Sequence, residues 1–315
     1  MTRYIIRRSL TAIIVLLGIS FVTFLLLHFI APSPGRAALG VRATPAAVHA
    51  YNQQHGFLKP FLVQFVDYLN QLLHGNLGFS FVLNQSVTAI LGERAPLSAF
   101  LSGTSVVLAI LVAIPLGIFQ AVKRNSVGDN VLTAVSFTLY STPVFLFGVL
   151  LIQIFVFNLN LVDANVPQSQ TLLGALADFK DIILPIVALT ATNVASYSRY
   201  QRSSALDVLA QDYIKVARSK GLSTRLVLMR HLVRNAALPM VTLVGLSIPA
   251  LLAGNLLIEA LFNINGLGLL FVNSLQRQDF QVLLAYTLIG AALTVLGNFI
   301  ADIALTVADP RIRLV

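Results

Sequence analysis

Long apolar runs separated by short polar segments organise this chain. Runs long enough to cross a bilayer, about 20 residues at 1.5 Å per residue, occur at 9–31, 96–122, 131–158, 182–197, 238–262 and 282–308. They predict an all-α polytopic membrane protein with six transmembrane helices and both termini on one side. Thr190, Thr192, Asn193 and Ser196 dilute the fourth run, so that helix is expected to face other helices rather than lipid. Pro115 and Pro143 fall inside the second and third runs, where a missing backbone donor permits a kink, read either as packing or as a hinge. The first run follows Arg3, Arg7 and Arg8, as a signal peptide would, but it exceeds the 7–15 residues of a signal core and no clear small-x-small site follows. It is read as a retained helix.

One stretch breaks the apolar pattern. Residues 199–239 are polar and basic, and their periodicity reads helix, break, helix. Leu206, Leu209, Tyr213, Val216 and Ala217 recur at steps of three and four, the stripe of a single amphipathic helix. Arg218 and Lys220 occupy its last turn and Gly221 follows, a stop signal with positive charge at the negative end of the helix dipole. Ser223 is then placed to cap a second helix running to Pro239. A second polar stretch, 32–95, is too long for a simple hairpin. Within it 61–73 reads as an amphipathic helix, and Gly75-Asn76-Leu77-Gly78-Phe79-Ser80 reads as a turn. His28, His49, His55 and His74 lie in or near this stretch without metal-ligand spacing and are expected to be structural or solvated.

Composition supports the membrane reading. Of 315 residues 57% are hydrophobic and 10% charged, against roughly 25% charged in an average soluble domain; the mean hydropathy is +0.84. The formal charge of +9 would suggest nucleic acid in a soluble chain. Here topology absorbs it: with the termini cytoplasmic, only Arg36, Arg42, Lys59, Arg94, Lys180 and Arg277 of the 21 cations lie outside, as the positive-inside rule requires. Segment 199–239 is thereby predicted to be cytoplasmic, and no nucleic-acid partner is needed. There is no cysteine, hence no disulfide and no thiolate site.

Few polar groups sit in the apolar runs. Glu259 is expected near the outer interface by helix rise, with two equal readings, an outer gate shared with Gly254 or a local cap. Asp302 is expected near the cytoplasmic end, anchored by Arg311 or Arg313. The runs contain no Ser/His, paired-carboxylate or His/Asp metal constellation, which argues against an intramembrane enzyme. No Gly-x-x-x-x-Gly-Lys occurs, so no phosphate cradle of that kind is available and energy for active transport would have to come from outside the chain. The competing class is a proton-coupled secondary transporter with Glu259, Asp302 or His28 as a relay, although the spans show no clear inverted halves.

Ordered motifs then carry a resemblance. Residues 212–222, Asp-Tyr-Ile-Lys-Val-Ala-Arg-Ser-Lys-Gly-Leu, followed by Asn235-Ala236-Ala237-Leu238-Pro239, resemble the "EAA" loop of bacterial ATP-binding-cassette importer permeases, more narrowly the first permease subunit of the dipeptide, oligopeptide and nickel group. The similarity also takes in the start Arg3-Tyr4-Ile5-Ile6-Arg7-Arg8, Gly75 to Gly78 with Ser80, Ser141-Thr142-Pro143, Arg202-Ser203-Ser204, Glu259, Gly266-Leu267-Gly268 and the ending Asp309-Pro310-Arg311. Two positions depart from the family pattern: Pro34-Gly35-Arg36-Ala37 stands for Pro-Gly-Asp-Pro, and Asn265 stands for Pro.

The resemblance implies a type I importer permease core (MetI-like) at 96–308, an extra N-terminal transmembrane helix at 1–31, an extracytoplasmic segment at 32–95 and a cytoplasmic tail at 309–315. It implies a second homologous permease subunit, ATPase subunits that bind ATP and Mg, and an extracytoplasmic substrate-binding protein as partners, within a lipid bilayer. Asp212 and Tyr213 would begin the coupling helix, Ala217 would provide a small contact surface, Lys220 and Leu222 would flank the turn, and Gly221 would make it. Gly254 and Glu259 would line the outer gate. The chain itself is expected to bind no cofactor and no metal.

Overall fold

The computed structural model describes residues 2–30, 34–40, 42–162, 172–177, 179–253 and 255–308. Its first helix, α1 (Thr2–Ile30), lies almost wholly exposed along its apolar span Ile6–Phe29, as a lipid-facing helix should. Three short helices follow: α2 (Pro34–Leu39), α3 (Pro45–Gln54) and α4 (Phe61–Leu73). Thr44 starts α3 by accepting the Ala47 N–H at 3.3 Å, with Pro45 at the first helical position, where its missing donor costs nothing. Helix α4 coincides with the predicted amphipathic 61–73. Its apolar face is met by α1: Phe65 sits edge-on to Phe21 at 5.3 Å, Phe61 packs on Phe24 at 5.4 Å, and buried Tyr68 stacks on Phe24. Aromatic pairing of this kind adds to simple burial, and it docks the polar segment onto the first helix. His28 belongs to the same cluster and His55 stacks on Tyr51. A two-residue hairpin, β1 (Phe79–Ser80) with β2 (Gln85–Ser86), closes the segment with Phe79 opposite Ser86.

The centre of the molecule is α5 (Val87–Val122) packed against α9 (Phe179–Leu209). Pro96 and Pro115 lie inside α5 without breaking it. Ser98, Ser102, Ser105, Ala109, Ala113 and Gly117 recur along α5 at steps of three and four, and all are buried. Such a stripe of small side chains lets two backbones approach closely in an apolar environment. Helix α9 is lined there by Ile182, Ile186, Ala188, Leu189 and Ala195, all buried, which agrees with its expected place among helices. Helix α8 (Leu172–Ala177) precedes it. Helices α13 (Leu238–Ala253) and α16 (Phe280–Ala308) form the second large pairing, and Tyr197 of α9 is hydrogen-bonded to Ser247 of α13 at 2.7 Å.

The predicted spans are only partly matched. Among the described residues three helices, through Ile6–Phe29, Val87–Val122 and Phe280–Ile303, are long and apolar enough to cross a membrane. The third predicted span is a bent pair: α6 (Val127–Ser141) and α7 (Val144–Leu151), the latter continuing as a π-helical turn Ile152–Asn158, meet at 104°. Pro143 explains the break, since it forces Thr142 into an extended conformation, φ −85° and ψ 124°. The fifth predicted span likewise ends at Ala253, with a separate short helix α14 (Leu256–Leu261) beyond it.

Candidate functional site

The stripe expected on one helix between Leu206 and Ala217 is divided. Helix α9 stops at Leu209, and α10 (Asp212–Ser219) starts anew after Ala210 and Gln211. Ala205, buried, and Leu206 and Leu209, partly buried, join a cluster with Ala121, Leu232 and Ala236. Ile214 and Ala217 turn inward to Val227, with Val208 and Leu222 at the edge. Ala217 is therefore 6% exposed and offers no outer contact surface, contrary to expectation. Tyr213, at 43% exposure, and Val216, at 51%, form the outward side of α10.

Gly221 ends this unit as predicted. Its φ is +78°, the left-handed region that disfavours any residue with a Cβ, and its N–H donates to Arg218 O while Leu222 N–H reaches Ala217 O at 3.4 Å. Lys220 and Gly221 are exposed, Leu222 is half-buried, and Asp212 pairs with Lys215 at the surface at 2.8 Å. Ser223 Oγ accepts the Leu226 N–H at 3.4 Å and starts α11 (Thr224–Leu226). The chain continues through a π-helical stretch, Val227–Val233, into α12 (Arg234–Ala236). Leu226 and Met229 are exposed beside Arg225 and Arg230.

Just above this loop is an ion pair that sequence reasoning missed. Asp129, in the first turn of α6, is 1% exposed. It receives Arg202 Nε on Oδ1 and Arg202 Nη2 on Oδ2, both at 2.9 Å, and the Asn125 N–H on Oδ2 at 2.9 Å. This is the bidentate fork geometry peculiar to arginine. Ser126 caps α6 by accepting the Asp129 N–H. Arg202 lies on the same unbroken helix as Leu206 and Leu209, so the loop and α6 are joined through one rigid element. Arg199 is stacked over Tyr140 of α6 at 4.7 Å, a second link of cation–π type. The available signal was the Ser-x-x-Asp capping pattern at 126–129; its pairing with a residue 73 positions on was not legible.

At the opposite end Glu259 does not line an open path. It is 1% exposed, on α14. Its Oε1 accepts from Ser98 Oγ at 2.8 Å and from Asn255 N–H at 3.1 Å; its Oε2 accepts from Gly268 N–H at 2.7 Å and Leu269 N–H at 3.4 Å. Ser98 Oγ in turn accepts the Leu267 N–H at 2.8 Å. The carboxylate thus caps α15 (Leu267–Arg277) and ties it to α5 and α14. Gly266 and Gly268 make this approach feasible: a Cβ on Gly266 would lie 2.3 Å from Glu259 Oε2, and one on Gly268 would lie 2.9 Å from Leu256 Cα. The local-cap reading of Glu259 matches the geometry. Gly254 lies outside the described residues. Asp302 is paired with Arg8 of α1, whereas Arg311 and Arg313 lie outside the described residues. On the polar-segment side, Ser80 Oγ donates to Asp279, which precedes α16, and accepts the Leu83 N–H at 3.0 Å.

Two family models match, both describing membrane components of binding-protein-dependent transport systems: the N-terminal component over residues 1–104 and the inner membrane component over residues 113–314. The chain belongs to this family; it is a multi-pass inner-membrane permease subunit of an ABC importer, a transport component rather than an enzyme. It is 36% identical to the oligopeptide transport system permease protein AppB of Bacillus subtilis, over 99% of this chain and all of that one. It is 34% identical to the glutathione transport system permease protein GsiC of Salmonella choleraesuis, over 99% of each chain.

Proposed function

We propose that this subunit forms, with a second homologous permease subunit, the pathway for small peptides handed over by an extracytoplasmic binding protein, and that residues 199–239 receive the motion of ABC ATPase subunits. In this reading six helices cross the membrane and both termini are cytoplasmic. The observation that carries it is the outward face of the loop, where Tyr213, Val216, Leu226 and Met229 are exposed among cations on two short helices joined at Gly221. Apolar side chains on a helix face beside a polar rim suit insertion into a partner's groove. The Asp129–Arg202 pair supplies the step inward: movement of α9 at the loop carries α6 with it, and α6 meets α7 at the Pro143 bend. Binding of ATP by the partners would then shift the pathway between two states by differential affinity.

Support for a peptide substrate comes from the relatives, which are named for oligopeptides and for glutathione, a tripeptide. The departures at Arg36, Ala37 and Asn265 lie on the side where substrate arrives and leave peptide length open to measurement. The decisive experiment reconstitutes the subunit with its co-assembling partners in vesicles and compares uptake of labelled di-, tri- and pentapeptides and a nickel chelate under ATP and under a proton gradient. ATP-dependent peptide uptake is expected. Uptake driven by the gradient alone, with no ATPase bound, would assign the chain to secondary transport instead.

A further inference from the structure

A crevice of about 450 Å³ separates α1 from α16 at the end bearing the N-terminus. Arg7, Arg8, Thr11 and Val15 line it from α1, and Val295 and Asn298 from α16. Its volume falls within the roughly 300–1,000 Å³ of small-molecule sites. The two helices run antiparallel here, because Arg8 near the start of α1 pairs with Asp302 near the end of α16. The lining therefore grades along the crevice: the two guanidiniums at one end, Thr11 and the Asn298 amide one turn in, and Val15 and Val295 beside Thr294 deeper still. From Arg7 to Val15 is about 12 Å along the helix.

The two arginines are not equivalent. Arg8 is neutralised by Asp302, whereas among the described residues no hydrogen bond or ion pair engages the exposed Arg7 guanidinium. The Arg7 guanidinium thus stands at the mouth of a crevice whose inner lining adds Ala12, Val15 and Val295, on a helix largely exposed along its apolar span. A bare phosphate would satisfy the mouth and leave the apolar depth without a partner. We propose that this crevice binds an anionic phospholipid, its phosphate on Arg7 and Asn298 and the start of an acyl chain along Ala12, Val15 and Val295. A juxtamembrane cation contributes about one factor of five to such binding, about 1 kcal/mol, and a crevice between helices adds apolar contact. The bound lipid would fasten α1 to α16 beside the Arg8–Asp302 pair.

The test uses the whole importer complex, purified with phosphatidylglycerol, delipidated stepwise and followed by native mass spectrometry. Wild-type complex is expected to retain phosphatidylglycerol over phosphatidylcholine. Arg7→Gln should lower that retention at least about fivefold, Arg7→Lys should keep most of it, and Val15→Trp, which fills the apolar depth and leaves both arginines, should lower it too. Arg124→Gln, an exposed cation in the α5–α6 loop, removes one charge elsewhere and should leave retention unchanged. Equal retention in Arg7→Gln and wild type would overturn the proposal. So would displacement by millimolar inorganic phosphate, which would identify a free-anion site, or disulfide capture of Thr294→Cys by a cysteine on the second permease subunit, which would show the crevice filled by protein.

Discussion

The two ends of the helical core are finished in opposite ways. At Glu259 both carboxylate oxygens have partners inside the molecule: the carboxylate accepts from a serine and three backbone N–H groups and joins α5, α14 and α15. Around Gly221 the polar groups are exposed, and so are Tyr213, Val216, Leu226 and Met229, while only Ile214, Ala217 and Val227 close inward. A buried hydrogen-bonded node resists deformation, because each donor it loses becomes an orphan in an apolar setting. An exposed apolar face over a thin cluster gains most of its stability from whatever covers it. The first end is built as a fixture of this chain, and the second is the surface proposed above for assembly.

Mutations can break or sharpen that contrast. The largest effect is expected from Glu259→Ala, which strands three N–H groups and Ser98 at about 1–3 kcal/mol each; the complex should lose several degrees of thermal midpoint and transport together, with ATPase docking intact in whatever folds. Arg202→Ala comes next, at about 3 kcal/mol, since it leaves Asp129 charged and buried without its fork. Asp129→Leu combined with Arg202→Leu should recover much of that stability but not transport, if the pair links the loop to α6; full recovery of transport would make the pair merely structural. Gly221→Val forces a β-branched residue to φ +78° at a cost of about 1–3 kcal/mol with open space around it. It should reduce co-purifying ATPase and ATP-driven uptake far more than it reduces the thermal midpoint of the permease pair. If Gly221→Val and Glu259→Ala gave the same ratio of assembly loss to stability loss, the contrast between the two ends would fail.

The smallest expected effect is a pH dependence at Asp279. Burial holds its carboxyl above the ordinary aspartate range, against the lowering influence of the hydrogen bonds from Ser80 and Val282. A raised folded-state pKa means the native form holds its proton more tightly than the unfolded chain, so this contribution to stability is full below about pH 4 and is lost as pH rises through the raised value. The thermal midpoint of Asp279→Asn should fall less than that of wild type between pH 4 and 7. An identical slope in both proteins would remove Asp279 from the account.

Much of this was legible in the residues. Periodicity alone placed α4 at 61–73 and the stop at Gly221, because amphipathic spacing and a glycine after a basic turn are local signals. Ser223 was likewise readable as a cap. The span from 131 to 158 was not readable as a 104° bend, since a proline in an apolar run is compatible with a kink, a break or, as at Pro115 in α5, an undisturbed helix; neighbouring packing decides among these. Leu209 and Tyr213 shared one predicted stripe because the stop at Leu209 carries no glycine or proline to announce it.

What the sequence determined by itself is the class of molecule and the order of its parts. An apolar chain with short basic loops must satisfy its backbone within helices, and motifs at fixed spacing mark the family it belongs to. What only the tertiary structure decided is who meets whom across long separations: Asp129 with Arg202, Ser98 with Glu259, Ser80 with Asp279, Arg8 with Asp302. Side-chain chemistry names the candidates for such pairs. Only the packing of α6 against α9, of α15 against α5, and of β1 and α1 against α16 brings two particular ones within reach, and the burial of Asp129, Glu259 and Asp279 then makes their pairing obligatory.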